Sequence, residues 1–198
     1  PDGSAFGVYF QQHHYGHLAW AQLGLHNVQN AIAAIAAAQQ IGVEPGVAID
    51  ALTHFPGVKR RLEVIGRTRG VTIYDDFAHH PTAIKTTLNS LRAHVGKQRI
   101  IAVLDFGSYT MRSGLHAPAR LMASLENADV LMLCSANISP DFLALLDAEQ
   151  RDHFYHHQEI AKLVEKIAEI AQTNDHVLIM SNTAFGGLHR LLLDTLGH

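Results

Sequence analysis

The feature that most constrains this fold is an alternation running from residue 57 to the C-terminus. Short apolar runs, "GVTIYDD" (70–76), "RIIAVLD" (99–105), "ADVLMLC" (128–134) and "HVLIMSN" (176–182), are separated by stretches with helical spacing. Most of these runs are too continuously apolar for a strand with one wet face; they suit strands covered on both sides. Between the first two, Ile84, Leu88, Leu91 and Val95 recur at helical intervals, which predicts a helix over about 81–95. Further helices are expected near 115–126, 140–148, 157–172 and 185–196, with "RLEVIG" (61–66) and "HFYH" (153–156) as additional strands and a turn at Thr68–Gly70. Strand and helix in turn predict an α/β fold, a doubly wound, mainly parallel, Rossmann-like sheet.

Such a sheet binds ligands beyond the carboxyl ends of its strands. That rule yields a shortlist: Asp75, Asp76 and His79 after one strand, residues 105–109 after the next, and Ser135–Asn137 and Ser181–Gly187 after later ones. The first 55 residues read differently. "AFGVYF" (5–10) and "HLAWAQL" (17–23) flank a polar His/Gly turn, as in a hairpin. "GLHNVQNAIAAIAAAQQIGV" (24–43) follows as a turn and helix, with Asn27 as its N-cap and Gly42 as its stop. A short helix over about 45–54 leads to Pro56-Gly57, the expected boundary between a domain at 1–55 and another at 56–198.

Several function classes drop out on composition. A formal charge of −3 leaves no basic excess for a nucleic acid. A single cysteine, Cys134, allows no intrachain disulfide; its apolar run marks it as a buried structural thiol and suits the reducing cytoplasm. No apolar run approaches the roughly 20 residues of a membrane helix. The 15 histidines invite a zinc reading, but neighbours such as His79-His80 point apart on a strand, and no His-Glu-x-x-His accompanies them. No metal ligands are assigned. The chain opens at Pro1 in what reads as mid-domain, so a piece of a longer protein is expected.

Four stretches carry candidate chemistry, each beside a plainer role. In "YDDFAHHPTAI" (74–84), Pro81 suits a first helical position, bringing Asp76 and His79 near a helix N-terminus. There the acid can accept from a ribose diol and the imidazole can donate to phosphate or carboxylate, or both can simply cap and solvate the turn. In "GVKRRLE" (57–63) the arginines offer a planar fork for phosphate and a flat cation for a purine, or form an exposed turn. "GLHNVQN" (24–30) sets Asn27 and Asn30 three apart on one helix face, where amides can read an adenine edge or do no more than cap. In "MSNTAFGGLH" (180–189), Ser181, Asn182 and the loop N–H groups can hold a carboxylate or peptide. No Gly-Lys-Ser/Thr phosphate loop, Gly-x-Gly-x-x-Gly fingerprint or Gly-x-Ser-x-Gly elbow occurs in the chain.

Taken in order, "GLHNVQNAIAAIAAA", "KRRLE", "YDDFAHHPTAI", "SYTM" and "MSNTAFGG" resemble the Mur ligase family, ATP-dependent amide ligases of peptidoglycan synthesis. The resemblance implies that 1–55 are the tail of the central ATP-binding domain and 56–198 the Rossmann-like C-terminal domain. It further implies ATP and Mg2+ as cofactors, the ion held mainly by central-domain residues not in this chain. "DDFAHHPTAI" and "IMSNTAFGGLH" look most like the recycling branch, whose implied substrates are UDP-N-acetylmuramate and the tripeptide L-Ala-γ-D-Glu-meso-diaminopimelate. An L-alanine-adding ligase and a stand-alone nucleotide- or peptide-binding module are the alternatives. By motif, Asn27 and Asn30 match asparagines near adenine, Arg61 the hinge arginine on the nucleotide, and Asp76 the ribose acid. His79 would lie toward the phosphates or the peptide, with Ser108, Arg112, Ser181 and Asn182 on the peptide side. The stretch "LDFGSYTM" (104–111) departs from the relatives' Leu-Glu-Pro-Arg-Ser-Asn-Thr-Met: Gly107 stands where an arginine is expected, and Arg112 is the candidate to compensate.

Overall fold

The computed structural model describes residues 2–107, 109–113, 115–134, 138, 140–148 and 153–197. The chain divides into two compact units, Pro1–Lys59 with Asn89–Gly96, and Arg60–Leu88 with Lys97–His198.

In the first unit, β1 (Ala5–Phe10) and β2 (His13–Ala19) pair antiparallel. The turn comes earlier than the histidines suggest. Gln11 and Gln12 take left-handed φ of 47° and 66°, the geometry that matches a tight hairpin to strand twist. The histidines are therefore drawn into the ladder, His13 opposite Phe10 and His17 opposite Gly7. Helix α1 (Leu25–Gln40) is capped by Gly24, not by Asn27. Because the helix starts two residues before Asn27, that amide reaches back instead, its Nδ2 donating to Leu23 O at 2.9 Å. Gly42 does end the helix: at φ 88° it lets its own N–H reach Gln39 O and the Val43 N–H reach Ala38 O, a Schellman closure. Helix α2 (Pro45–Thr53) starts on proline. Val8, Leu18, Ala31, Ile35 and Ile49 form this unit's core.

The second unit carries a six-stranded sheet of order β3-β4-β8-β5-β6-β7. Strands β3 (Glu63–Thr68) and β4 (Val71–Asp76) form an antiparallel hairpin; β4, β5 (Ile100–Asp105), β6 (Val130–Cys134), β7 (Phe154–His157) and β8 (His176–Met180) run parallel. The helices in chain order are α3 (Pro81–Val95), α4 (Tyr109–Arg112), α5 (Pro118–Ser124), α6 (Pro140–Ala148), α7 (Ile160–Ile170) and α8 (Leu188–Gly197). One sheet face presents Ile73, Val103, Met132 and Ile179 to the apolar stripes of α7 and α8. The alternate residues, among them Ala102, Leu104, Leu133 and Leu178, point to the opposite face and are equally buried, so both faces are covered. That double cover explains the uninterrupted apolar runs.

The expected helix at 115–126 is the shorter α5, and the unexpected single turn α4 precedes it. Pro118 begins α5 and holds Ala117 extended at ψ 129°, which blocks continuation from upstream. Helix α7 starts later than expected because His157 is still paired with Cys134 in the sheet. Helix α8 starts at Leu188, after a 3-10 turn at Phe185–Gly187 in which all three residues have positive φ.

Register fixes where chemistry can sit. Asp76 and Leu104 both pair with Met180, and Asp105 pairs with Cys134, so the carboxyl ends of β4, β8, β5 and β6 share one edge. Leu188, Leu192 and Leu196 lie one helical turn apart and are fully buried, anchoring α8 over the sheet. Leu192→Ala should therefore destabilise the chain by about 2–5 kcal/mol, read as a lower urea midpoint; a loss below about 1 kcal/mol would contradict the assigned packing.

Candidate functional site

The site grows from the end of β4. Asp76 is 4% exposed, yet its carboxylate is well supplied with donors. Oδ2 accepts the Leu62 N–H at 2.8 Å; Oδ1 accepts the Ala78 N–H at 2.8 Å and the Thr87 hydroxyl at 3.1 Å. Burial pushes this carboxyl up from its ordinary value, while those donors and the Arg61 charge pull against the rise. One acidic side chain thus fixes both the loop before β3 and the loop after β4. Roughly one acceptor position of its four remains for a ligand.

The loop from 77 to 80 turns on the two histidines. His79 Nδ1 lies 2.8 Å from Phe77 O; a carbonyl only accepts, so Nδ1 carries the proton and a neutral ring offers Nε2 as an acceptor. His80 Nδ1 faces the Ala83 N–H at 3.4 Å, in the first turn of α3. Burial lowers the His80 pKa, and the neighbouring His79, His116 and Arg120 lower it further.

The two arginines of "KRR" part company. Arg60 turns inward: Nη2 donates to Ser181 O at 2.5 Å and Thr183 O at 2.9 Å, and Nε lies 3.3 Å from Asp75 Oδ2. Arg61 is exposed, its guanidinium 5.8 Å from the Phe77 ring centroid. Arg60 stacks on the same ring at 5.2 Å. Of the two arginines, only Arg61 is presented to solvent. On the far side of Asp75, His189 Nε2 approaches Oδ1 at 3.0 Å, off the line of a hydrogen bond.

The third part is the end of β8. Ser181 is fully buried, and its hydroxyl donates to Asp105 Oδ2 at 2.8 Å; the Thr183 hydroxyl donates to the same oxygen at 2.8 Å. Those oxygens accept in turn from the Thr183 and Phe185 N–H groups. Each hydroxyl has one proton and uses it on Asp105, so Ser181 organises the turn rather than facing a ligand directly. Asn182, by contrast, keeps a buried Oδ1 without a hydrogen-bond partner among the described residues. Arg60, Asp105 and Thr183 fall in stretches the sequence marked, but none was singled out for a role of its own. The sequence does not say which of two adjacent arginines points inward.

Asn27 and Asn30 belong to the other unit, on the first turns of α1. Asn30 Nδ2 donates to Asn27 Oδ1 at 3.3 Å, joining the exposed Asn30 to the half-buried Asn27. Ser108, residues 135–137 and the Arg112 side chain lie outside the described residues. Among the described residues, no group of three or more His, Cys, Asp and Glu is placed to hold a metal ion.

Comparison with known proteins adds four findings. Residues 60–183 match the family described as Mur ligase, glutamate ligase domain. The chain is 43% identical over 198 residues to UDP-N-acetylmuramate–L-alanyl-γ-D-glutamyl-meso-2,6-diaminoheptandioate ligase of Escherichia coli, covering 98% of this chain and 43% of that protein. It is 34% identical over 171 residues, 82% of this chain and 37% of that protein, to UDP-N-acetylmuramate–L-alanine ligase of Paenarthrobacter aurescens. Among solved structures, a murein peptide ligase from Psychrobacter arcticus matches at 35% identity and a TM-score of 0.69, over all of this chain and 42% of that one. The chain thus spans well under half the length of these relatives.

Gly107 generates a prediction about the strand-end network. A Cβ there would stand 2.7 Å and 3.1 Å from the two Asp105 carboxylate oxygens and 3.1 Å from Thr183 Cγ2. Because Ser181 and Thr183 pin that carboxylate, Gly107→Ala should cost about 1–3 kcal/mol in urea unfolding. In an Asp105→Gly background the same change should be nearly silent, and a cycle showing no coupling would refute the crowding.

Proposed function

The chain belongs to the Mur ligase family, and on that premise we propose that it forms part of an ATP-dependent ligase joining UDP-N-acetylmuramate to L-Ala-γ-D-Glu-meso-diaminopimelate. The observation that carries this reading is the identity to the Escherichia coli ligase along 98% of the chain. Residues 1–55 are assigned to the tail of a central ATP-binding domain and 56–198 to the C-terminal domain. The reaction belongs in the cytoplasm, where ATP and nucleotide sugars are made; no helix among the described residues is long and apolar enough to cross a membrane.

In this chemistry the muramyl carboxylate takes the γ-phosphoryl group and ADP departs. The peptide amine attacks the acyl carbon, the C–N bond forms, the C–O bond to phosphate breaks, and the amine proton leaves. Positioned charge and geometry supply most of such catalysis. The donor chemistry present fits a nucleotide. Arg61 offers an exposed, planar guanidinium at a strand end, and Asn30 an exposed amide. In this proposal Arg61 meets the nucleotide, Asn27 and Asn30 read adenine, and Asp76 holds the loops while its remaining acceptor position meets a ribose hydroxyl. His79 Nε2, held as an acceptor by the Nδ1 contact to Phe77 O, lies toward the phosphates or the incoming peptide. Ser181 shapes the peptide turn and the buried Asn182 Oδ1 meets a peptide N–H, with Ser108 and Arg112 assigned to the same side. Magnesium finds no ligand cluster among the described residues.

A second reading, the L-alanine-adding ligase, has the lower identity and the shorter coverage. A non-catalytic binding module is the third. Peptide-dependent ADP release by the ligase containing this chain distinguishes them. The tripeptide should be turned over in preference to L-alanine, the dipeptide and the tetrapeptide; preference for L-alanine would select the second reading, and no turnover the third. The 198-residue chain alone, which has no Gly-Lys-Ser/Thr loop, should release no ADP.

The nucleotide assignment is tested separately. Arg61→Ala should raise the KM for ATP about tenfold, the order expected for one lost charged contact, while the tripeptide KM stays within about twofold. Unchanged ATP binding would remove Arg61 from the site.

A further inference from the structure

We infer that Arg60 is a positioning residue that braces the Ser181–Thr183 turn against the loop presenting Arg61, so that the peptide subsite is set by its guanidinium while the nucleotide loop is held by backbone bonds. This inference rests on the ligase reading above and extends it to a residue that touches neither substrate. Arg60 reaches three structures at once. Its Nη2 donates to the carbonyl oxygens of Ser181 and Thr183, across 121 and 123 residues of sequence. Its Nε pairs with Asp75 in β4, at 3.3 Å. Its plane lies 5.2 Å from the centroid of Phe77, the ring that Arg61 also uses.

The guanidinium and the backbone of Arg60 serve different ends. Its N–H donates to Glu63 Oε2 at 2.8 Å, and its carbonyl accepts the Phe77 N–H at 2.9 Å. The Leu62 N–H is separately anchored on Asp76. Those backbone bonds survive any side-chain substitution at 60, so the loop carrying Arg61 keeps its place without the guanidinium. The left-handed φ of 58° adds no complication, because alanine and lysine meet the same Cβ strain that arginine already tolerates. The turn at 181–183 has no such redundancy on this side. Its Ser181 and Thr183 carbonyls lose a shared donor, leaving the turn held by the Asp105 hydroxyl contacts, the Ser181 N–H to Asp76 O bond and the turn's own hydroxyl caps.

Lysine cannot replace arginine here. A single ammonium lacks the fork that bonds two carbonyls and a carboxylate together, and it lacks the flat face that covers Phe77. The defect should therefore be directional. Loss of the guanidinium loosens the peptide turn and leaves the nucleotide loop in register.

Two measurements test this. In the 198-residue chain, hydrogen exchange at the Thr183 and Phe185 amides should quicken about tenfold or more in Arg60→Ala, while the central β8 amides stay protected. Arg60→Lys, the variant with the smaller risk to folding, should show the same pattern in weaker form. In the ligase containing the chain, both variants should raise the tripeptide KM about tenfold and leave the ATP KM within about twofold, the reverse of Arg61→Ala. Unchanged exchange at 183 and 185 would overturn the positioning role whatever the substrate proves to be. Equal rises in both KM values would overturn the directional claim. A wild-type ligase that ignores the tripeptide would instead sink the functional reading and leave the exchange result standing.

Discussion

The Asp76 carboxylate is the contact on which the site depends. It is nearly excluded from solvent, and it holds the Leu62 and Ala78 N–H groups on either side of the β3–β4 hairpin. A buried carboxylate without donors would take up a proton or unfold its surroundings. Here the donors are loop N–H groups, so solvating the charge and shaping the loops are the same act. The Thr87 hydroxyl extends that grip into α3. Arg61, Phe77 and His79 take their positions from loops that this one side chain pins.

A second acid performs the matching task across the sheet. Asp105 gathers the Ser181 and Thr183 hydroxyls at the end of β5, and register sets it near the level of Asp76. Gly107 follows from it, since any side chain at 107 would enter the volume the carboxylate fills. The absence of the arginine expected at 107 is thus coupled to the presence of Asp105. The two halves of the edge meet at Arg60, which binds carbonyls of the turn that Asp105 organises and lies against the ring beside Asp76's loop.

Much of the fold was legible because burial on both sheet faces writes itself as uninterrupted apolar runs; β5, β6 and β8 could hardly be read otherwise. The helix limits were less so. Pro118 delayed the start of the helix expected from 115 by local sterics, and the start of α7 waited on a β7 pairing that no local pattern records. Asn27 misled because an amide near a helix start caps only if the helix begins just after it, and the Gly24 backbone moved that start. At the candidate site, strand ends and motif order pointed to the edge where Asp76, Asp105 and Ser181 lie. They could not show that Ser181 is fully buried, since that depends on Asp105, distant in sequence.

Doublets account for what remained ambiguous. Arg60-Arg61 and His79-His80 read as repeated chemistry, yet each splits into unlike roles. Arg60 is engaged by two carbonyls and a carboxylate, whereas Arg61 stands exposed over Phe77. His79 donates from Nδ1 to a carbonyl, whereas His80 turns its Nδ1 toward an amide at the head of α3. Asp75-Asp76 divides likewise, one acid facing Arg60 and His189, the other facing loop amides. Asp75-Asp76 ends β4, where successive residues point apart; the arginines and histidines lie in the loops before β3 and after β4, and Arg60 has a left-handed φ of 58°. The Arg60-Arg61 doublet is therefore a support beside an exposed group, and because the two residues are of one type only their contacts tell the roles apart.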